Sequence, residues 1–481
     1  MTDVDPRLLP NRVRWAALFA VNLFVFMGNM YSSGLATGFG SLAEYFHIGD
    51  SMLSGLVTYS VLSMGLANLF WMPLALCFGK RPIVLLAMAM FLGGCIWSSV
   101  AKDYNSLLGS RVFASFGYGA IESLGPSILA DLFFERNYAS AMALYAAALS
   151  GGSQIGPMIA GFLIESKGWR WFFILCSILA AFNFVTAIFL LPETTYESEE
   201  EPELFEDVEK DSHSHVEAVR VQSQGGDRLK MDYGAHWKGL FSFGITKEAK
   251  EKGVIKHFAY LFLLPFPLLL VPGVLIASLM YGVVLGGVVA VSTLAPEIFS
   301  PPPYLFTSSA LGLFSLSGFI GIIVAWPIAG PMTDFLSRWM RKRNNNVHQP
   351  EHRLPALILP FLVCPVGLVV FGYTIAHQQN YIRPAVGAAI SAAGLTLVPS
   401  VMLSYVVDAY PRVAGEALVL VNTSKNVVAF GLATGAYSWM ETSGVDTMFY
   451  EFAGVQWIVL ALALPLYLAG PWLRARTQSL F

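Results

Sequence analysis

Charge is scarce in this chain. Asp, Glu, Lys and Arg make up only 13% of its 481 residues, about half the share of an ordinary soluble domain. With 55% hydrophobic residues it has too few polar side chains to cover a water-facing surface of that size, so a membrane-embedded protein is the first expectation. Cysteine is equally sparse. Cys77, Cys95, Cys176 and Cys364 each fall in or beside an apolar run, with no CxxC pair among them. That spacing indicates neither a disulfide framework nor a zinc site, and no metal or cofactor is expected. No basic face interleaved with aromatics accompanies the small net charge of -3, so whole-chain charge says little about a partner and no nucleic acid is expected. The chain also lacks H-E-x-x-H, G-x-S-x-G and G-x-x-x-x-G-K-[ST], the usual parts of metalloprotease, serine hydrolase and ATP-driven chemistry, so it is not read as an enzyme. The opening "MTDVDPRLLPNRVRW" has no apolar core before a small-residue cleavage site, so no removable signal peptide is expected there.

What the chain does have is long apolar runs. A bilayer core of roughly 30 Å needs about 20 apolar residues per helix. Six such runs fall within residues 15–191, and six more within 258–473. The predicted fold is an all-α membrane protein of twelve transmembrane helices in two pseudo-symmetric six-helix bundles. Residues 1–14 and 474–481 are cytosolic tails in this reading. Residues 192–257 form a disordered acidic cytosolic linker, because their acid, Ser, Gln and Gly cannot bury enough apolar area to order themselves. Nine acids lie between Glu197 and Asp211, more simply a solvated linker than a docking segment. The proline-interrupted "FAYLFLLPFPLLL" after it is too short to span and is expected along the interface.

The distribution of Lys and Arg sets orientation. With both termini inside, fourteen of the short-loop and tail cations, among them Arg14, Lys80, Arg81, Arg338 and Arg353, are cytosolic. Four, Lys102, Lys167, Arg170 and Arg383, lie outside. Two bundles joined by a long inner loop suggest repeated halves around a midplane site.

Ionisable residues within spans are the candidates for chemistry, since a charge at bilayer centre costs about 2.5–3.5 kcal/mol on insertion scales. Glu122 stands in "SRVFASFGYGAIESLGPSILA" eleven residues after Arg111, which places both on one helical stripe. The functional reading is a proton or substrate site; the alternative is a Glu122 that bonds a neighbouring helix. Lys425, in "VLVNTSKNVVAFG" with Asn422 and Asn426, is a possible counter-ion, or else it snorkels to an interface. Asn22, Asn29 and Ser33 form a polar stripe on span one, which interhelical hydrogen bonding explains equally well. Tyr281 offers a hydroxyl and a ring in span seven. In span five, "GGSQIGPMIAG" supplies Gly152, Gly156, Pro157 and Gly161 for close packing and a bend. Gly79, Lys80 and Arg81 follow span two. After span eight, Asp334 and Arg338 stand four apart as a favourable helical pair, either a cytosolic latch or an ordinary surface ion pair.

Together these motifs resemble the major facilitator superfamily. "FGKRP" and "GPMTDFLSR" are similar to its loop signature after spans two and eight, and "SRVFASFGYG" to its span-four arginine motif. "GGSQIGPMIAG" resembles the span-five motif of drug:proton antiporters, with Ala160 where that pattern has glycine. "GWRWFF", "LPET", "DLFFERNYASAMALY", "RNNNVHQPEHRL" and "SYVVDAYPRVAGEALVLVNTSKN" resemble the fungal branch that includes histidinol and polyamine transporters. Where the first loop signature has glycine and aspartate this chain has Met72 and Leu76, so that half lacks its acidic latch; Asp334 keeps it in the second. Ser115 and Gly117 follow Arg111 where the span-four pattern starts its glycines earlier. The resemblance implies a monomeric secondary transporter of small organic molecules in the plasma membrane, working by alternating access. The expected activity is proton-coupled export of drugs or secondary metabolites. Proton-coupled uptake of cationic amines and a non-transporting receptor are the alternatives.

Overall fold

The computed structural model describes residues 6–195, 245–343 and 349–477. Among them all regular structure is helical. The first half comprises α1 (Asn11–Gly34), the short α2 (Phe39–Phe46), α3 (Asp50–Phe78), α4 (Lys80–Val100), α5 (Tyr104–Leu132), α6 (Glu135–Lys167) and α7 (Trp169–Leu190). Two short helices follow, α8 (Lys247–Lys252) and α9 (Val254–Leu263). The second half contains α10 (Pro272–Phe299), α11 (Ser308–Arg343), α12 (Ile358–Ala376), α13 (Ile382–Ala409), α14 (Ala414–Ser443), α15 (Val445–Ala461) and α16 (Ala463–Thr477).

Eleven stretches of the described residues are long and apolar enough to cross a membrane, counting α15 and α16 as one. Missing from them is α5, the helix that carries Arg111, Glu122 and Asp131; its polar load lowers its mean hydropathy although its 29 residues easily reach across. Counted with the rest it gives twelve spans, an even number, so the start of α1 and the end of α16 share one face, here the terminal face. Asp103 starts α5 by accepting a hydrogen bond from the Ser106 N–H at 2.7 Å.

Each half owns its core. One cluster of buried side chains runs from Ala17 to Leu191 and contains only first-half residues, while three others are built wholly from the second half. The packing repeats between halves. Helix α1 packs on α6 as α10 packs on α14; α3 packs on α5 as α11 packs on α13. The two principal contacts across the halves, α6 with α11 and α3 with α14, exchange under the same pseudo-symmetry. In lipid no hydrophobic force drives such contacts, so close approach over small residues must supply them. Large exposed apolar side chains such as Phe19, Ile178 and Leu468 are left for the bilayer.

The expected linker is described only at its ends. Residues 196–244 lie outside the described residues, but 245–257, expected to be disordered, carry α8 and the start of α9. Thr246 ties this segment to the end of α3, its N–H donating to the Cys77 carbonyl at 3.0 Å and its hydroxyl to the Leu76 carbonyl at 3.0 Å. Phe262 of α9 then packs on Phe70 of α3, with ring centroids 5.1 Å apart. These contacts, invisible in local composition, order the segment.

Candidate functional site

Two-thirds of the way along α5, Glu122 points out of its own bundle. Its Oε1 accepts from Nζ of Lys425 on α14, and its Oε2 accepts from two amides, Asn68 Nδ2 of α3 at 3.2 Å and Asn426 Nδ2 of α14 at 3.3 Å. Both charged side chains are nearly dry, with 9% of the Glu122 and 6% of the Lys425 side chain exposed. On the far side Lys425 Nζ lies 3.4 Å from the Tyr281 hydroxyl and 4.5 Å from the centre of its ring, so one ammonium is held by a carboxylate and an aromatic face. The arrangement joins α3 and α5 of one half to α10 and α14 of the other.

Two glycines make this closeness possible. A Cβ on Gly65 would lie 2.5 Å from the Asn426 Cβ, and one on Gly282 would lie 2.6 Å from the Val428 Cβ. The first lets α14 settle on α3 at the level of the site. The second brings α10, and with it Tyr281, against the helix that carries Lys425. Asn68 Oδ1 and Asn426 Oδ1 are buried and accept no hydrogen bond among the described residues, which leaves acceptors beside the carboxylate for a donor-bearing ligand.

The structure thus brings together four residues singled out in the sequence: Glu122, Lys425, Tyr281 and Asn426. The snorkelling alternative for Lys425 is overturned, because its ammonium turns inward to Glu122 and not to an interface. Asn422 contributes only its main-chain oxygen, which accepts from Asn426 Nδ2 at 3.1 Å. Asn68 had no charge to mark it; its signal was an amide in the middle of the apolar "SMGLANLFWM".

The remaining candidates lie elsewhere. Arg111 is fully buried but turns into its own half, donating to the carbonyls of Leu56 at 2.7 Å, Tyr31 at 3.2 Å and Ser32 at 2.9 Å. Three main-chain acceptors and the Tyr31 ring, 5.0 Å away, occupy its guanidinium, so the stripe shared with Glu122 does not become a shared site. On α1, Asn29 Nδ2 and the Ser33 hydroxyl bond back one turn to Val25 and Asn29 carbonyls, and the buried Asn22 Oδ1 has no partner among the described residues. Of the span-five glycines, Gly152 and Gly156 pack on α1, where added Cβ atoms would meet the Phe26 oxygen at 2.3 Å and the Met30 Cα at 2.6 Å. Gly161 faces the other half, 2.2 Å from the Ser308 oxygen by the same measure, and the Pro157 oxygen lies 2.6 Å from where Gly312 would place a Cβ.

At the terminal face the two loop signatures are satisfied differently from expectation. Lys80 pairs with Asp131 at the end of α5, so another helix supplies the acid that Met72 and Leu76 do not. Gly79, at φ +92°, turns the chain so that Glu193 can accept from the main-chain N–H groups of Lys80 and Arg81 at 3.1 and 3.3 Å. Arg81 donates to the Ile188 carbonyl at 2.8 Å. In the second half the expected Asp334–Arg338 ion pair gives way to another. Arg338 Nε donates to the Asp334 main-chain oxygen at 3.2 Å, while the Asp334 carboxylate lies 3.6 Å from Arg353, whose Nε donates to Asp408 at 2.7 Å. Main-chain geometry four residues up a helix favours the first contact, and Arg353 brings a fork that reaches both acids.

Comparison with known proteins agrees with this architecture. A curated uncharacterised MFS-type transporter of Schizosaccharomyces pombe is 24% identical over 438 residues, covering 85% of this chain and 75% of that one. The MFS transporter cpaT of Aspergillus oryzae is 27% identical, covering 90% and 82%. Among solved structures, the xylose transporter XylE from E. coli, in a partially occluded inward-open conformation, superposes with a TM-score of 0.64. It is 12% identical and covers 95% of this chain and 98% of its own. Residues 18–434 match the family profile described as Major Facilitator Superfamily, and with most of its length so matched the chain belongs to that superfamily of multi-pass membrane transporters.

Proposed function

We propose that this protein is a proton-coupled secondary transporter that exports small organic molecules by alternating access, with Glu122 as the group that exchanges a proton for substrate. The observation that carries the reading is the buried Glu122–Lys425 pair, which links the two halves at mid-span. A proton placed on Glu122 removes one charge of that pair, and with it the attraction that holds α5 to α14. A local protonation is thereby coupled to the relation between bundles, as a secondary transporter requires. The likeness of "GGSQIGPMIAG" to the span-five motif of drug:proton antiporters supports export, and so a place in the plasma membrane. The balance of Lys and Arg supports a cytosolic terminal face.

A second reading has one observation in its favour. Lys425 is itself a primary ammonium, held by a carboxylate and a tyrosine ring beside two amide oxygens that have no donor among the described residues. The same set of groups suits the ammonium of a cationic amine, which would compete with Lys425 for Glu122 during uptake.

Proton flux from dye-loaded proteoliposomes, challenged with hydrophobic metabolites and separately with polyamines, tests both. The expected result is flux driven by one substrate class in the wild type and absent in a folded Glu122→Gln variant. The sign of the flux separates export from uptake. Normal flux in that variant overturns the role of Glu122.

A further inference from the structure

Opposite the terminal face α6 and α11 meet in a seam between the halves, and its outermost contact is unlike the rest. Along α6, Gln154, Pro157, Gly161 and Glu165 follow one another at helical spacing. Across from the first three on α11 stand Gly318, Gly312 and Ser308 in antiparallel order, and Glu165 reaches back to Ser309. The Gln154 Oε1 lies 2.7 Å from where Gly318 would place a Cβ, so at three of the four levels a glycine permits main-chain or amide contact between halves. Beneath the seam is a small cavity of about 40 Å³, lined by Gln154, Pro157, Phe314, Ser315 and Ser391. At the fourth level Glu165 does something else. Its Oε2 accepts from the main-chain N–H of Ser309 at 2.8 Å, beside the Thr307 and Ser309 hydroxyls, which lie 3.1 Å from each other.

Ser309 is the second residue of α11, and its N–H is among those left without an intrahelical partner at any helix start. Thr307 serves the next one, accepting from the Ala310 N–H at 3.4 Å. Helix α11 is therefore capped jointly, by a residue of its own and by a carboxylate from the other half. An acid there also meets the positive end of the helix dipole. Two cations that follow Glu165 on its own half are engaged elsewhere: Lys167 lies over the Trp171 ring at 4.8 Å, and Arg170 donates to the Tyr45 hydroxyl at 2.8 Å.

We infer that Glu165 is a positioning residue of the transport cycle, a helix cap supplied in trans that holds the opposite face closed. The cap exists only while α6 and α11 touch, so opening that face strips the first turn of α11 of an acceptor. The contribution belongs to the closed state alone, and losing it shifts the closed–open equilibrium without altering either bundle. This rests on the alternating-access reading above, but its readout requires neither a proton nor a known substrate.

The test is the rate at which an impermeant maleimide, added at the opposite face, labels a Ser315→Cys reporter in the cavity; the four native cysteines are buried. Glu165 is exposed, so Glu165→Ala removes no packing. It is expected to raise the labelling rate about threefold, within the range for loss of one cap. Ser309→Pro removes the donor at a position in the first helical turn that tolerates proline, and is expected to do the same. The double variant should label no faster than either single one, because both changes delete one interaction. Unchanged labelling in Glu165→Ala, or additive effects in the double variant, overturns the assignment. A reporter equally inert in every variant, Glu122→Gln included, overturns alternating access itself. Loss of flux in Glu122→Gln with labelling indifferent to Glu165 overturns the cap alone.

Discussion

Lys425 Nζ meets Glu122 Oε1 across the boundary between halves, 303 residues apart in sequence. The pairs Lys80–Asp131, Arg353–Asp334, Arg353–Asp408 and Arg474–Glu351 each stay within one half. The two amides that share the carboxylate, Asn68 and Asn426, sit where α3 and α14 touch, so the charge pair lies at the edge of a principal contact between the bundles.

A buried pair of this kind is costly to break and cheap to replace. Lys425→Ala strands Glu122 among amides and is expected to lower stability by about 3–5 kcal/mol, as does any loss of one partner from a buried pair. Glu122→Gln combined with Lys425→Met removes both charges while keeping side-chain volume, and should recover most of that loss. Thermal unfolding in detergent, followed by tryptophan fluorescence, checks the order: the single Lys425 variant least stable, the double variant near wild type.

Arg111 should behave oppositely, as a structural residue with no part in coupling. Its guanidinium satisfies three carbonyls on α1 and α3, a fork that lysine cannot reproduce. Arg111→Lys is expected to cost about 3 kcal/mol, since hydrogen bonds from a charged group contribute more than neutral ones and at least one acceptor is left unpaired. The folded fraction should retain the substrate and proton stoichiometry of the wild type, a separation read by comparing unfolding midpoints with flux per folded molecule.

The contrast between these two residues shows how far the sequence reaches. Apolar runs of about 20 residues marked the crossings because the bilayer fixes their length. Even α5, whose charges lower its hydropathy, was legible as one of the six apolar runs of the first half. Glu122, Lys425 and Arg111 stood out because an intramembrane charge is expensive wherever it points. What each one pointed at was not legible. Arg111 and Glu122 share a stripe, yet one helix is wide enough to turn one toward α1 and the other toward α14. Asn68 carries no charge and so no such mark. Asp131 and Glu193, which complete the first loop signature, come from the ends of other helices, and only the packing of α4 against α5 and α7 brings them to Lys80 and Gly79.

Glycines of span five separate two kinds of damage. Gly152→Ala drives a Cβ to 2.3 Å from the Phe26 oxygen within the first half and is expected to destabilise that bundle by about 1–3 kcal/mol. Gly161→Ala meets the Ser308 oxygen of the other half at 2.2 Å, so the strain is relieved by parting the halves rather than by unfolding either. Its unfolding midpoint should stay near wild type while the opposite face becomes more accessible to impermeant thiol reagents. Gly435 has nothing within 4 Å and serves as the control, where alanine should stabilise the helix by up to about 1 kcal/mol.

The terminal face gives a last, graded expectation around Arg353. Its Nε donates to Asp408 at 2.7 Å, with 20% and 21% of the two side chains exposed, whereas Asp334 lies 3.6 Å away with 58% of its side chain in the open. A partly buried, well-aligned pair contributes more than an exposed, loose one, because solvent screens the second and side-chain entropy opposes it. Asp408→Asn is therefore expected to lower stability by about 1–2 kcal/mol, and Asp334→Asn by less than about 0.5 kcal/mol. Arg338→Ala should match Asp334→Asn or cost less, because among the described residues its guanidinium reaches only the Asp334 main chain. If unfolding midpoints instead fell equally for Asp334→Asn and Arg338→Ala while Asp408→Asn left them unchanged, the latch of this half would be the four-residue helical pair and not the Arg353 fork that spans α11 and α13.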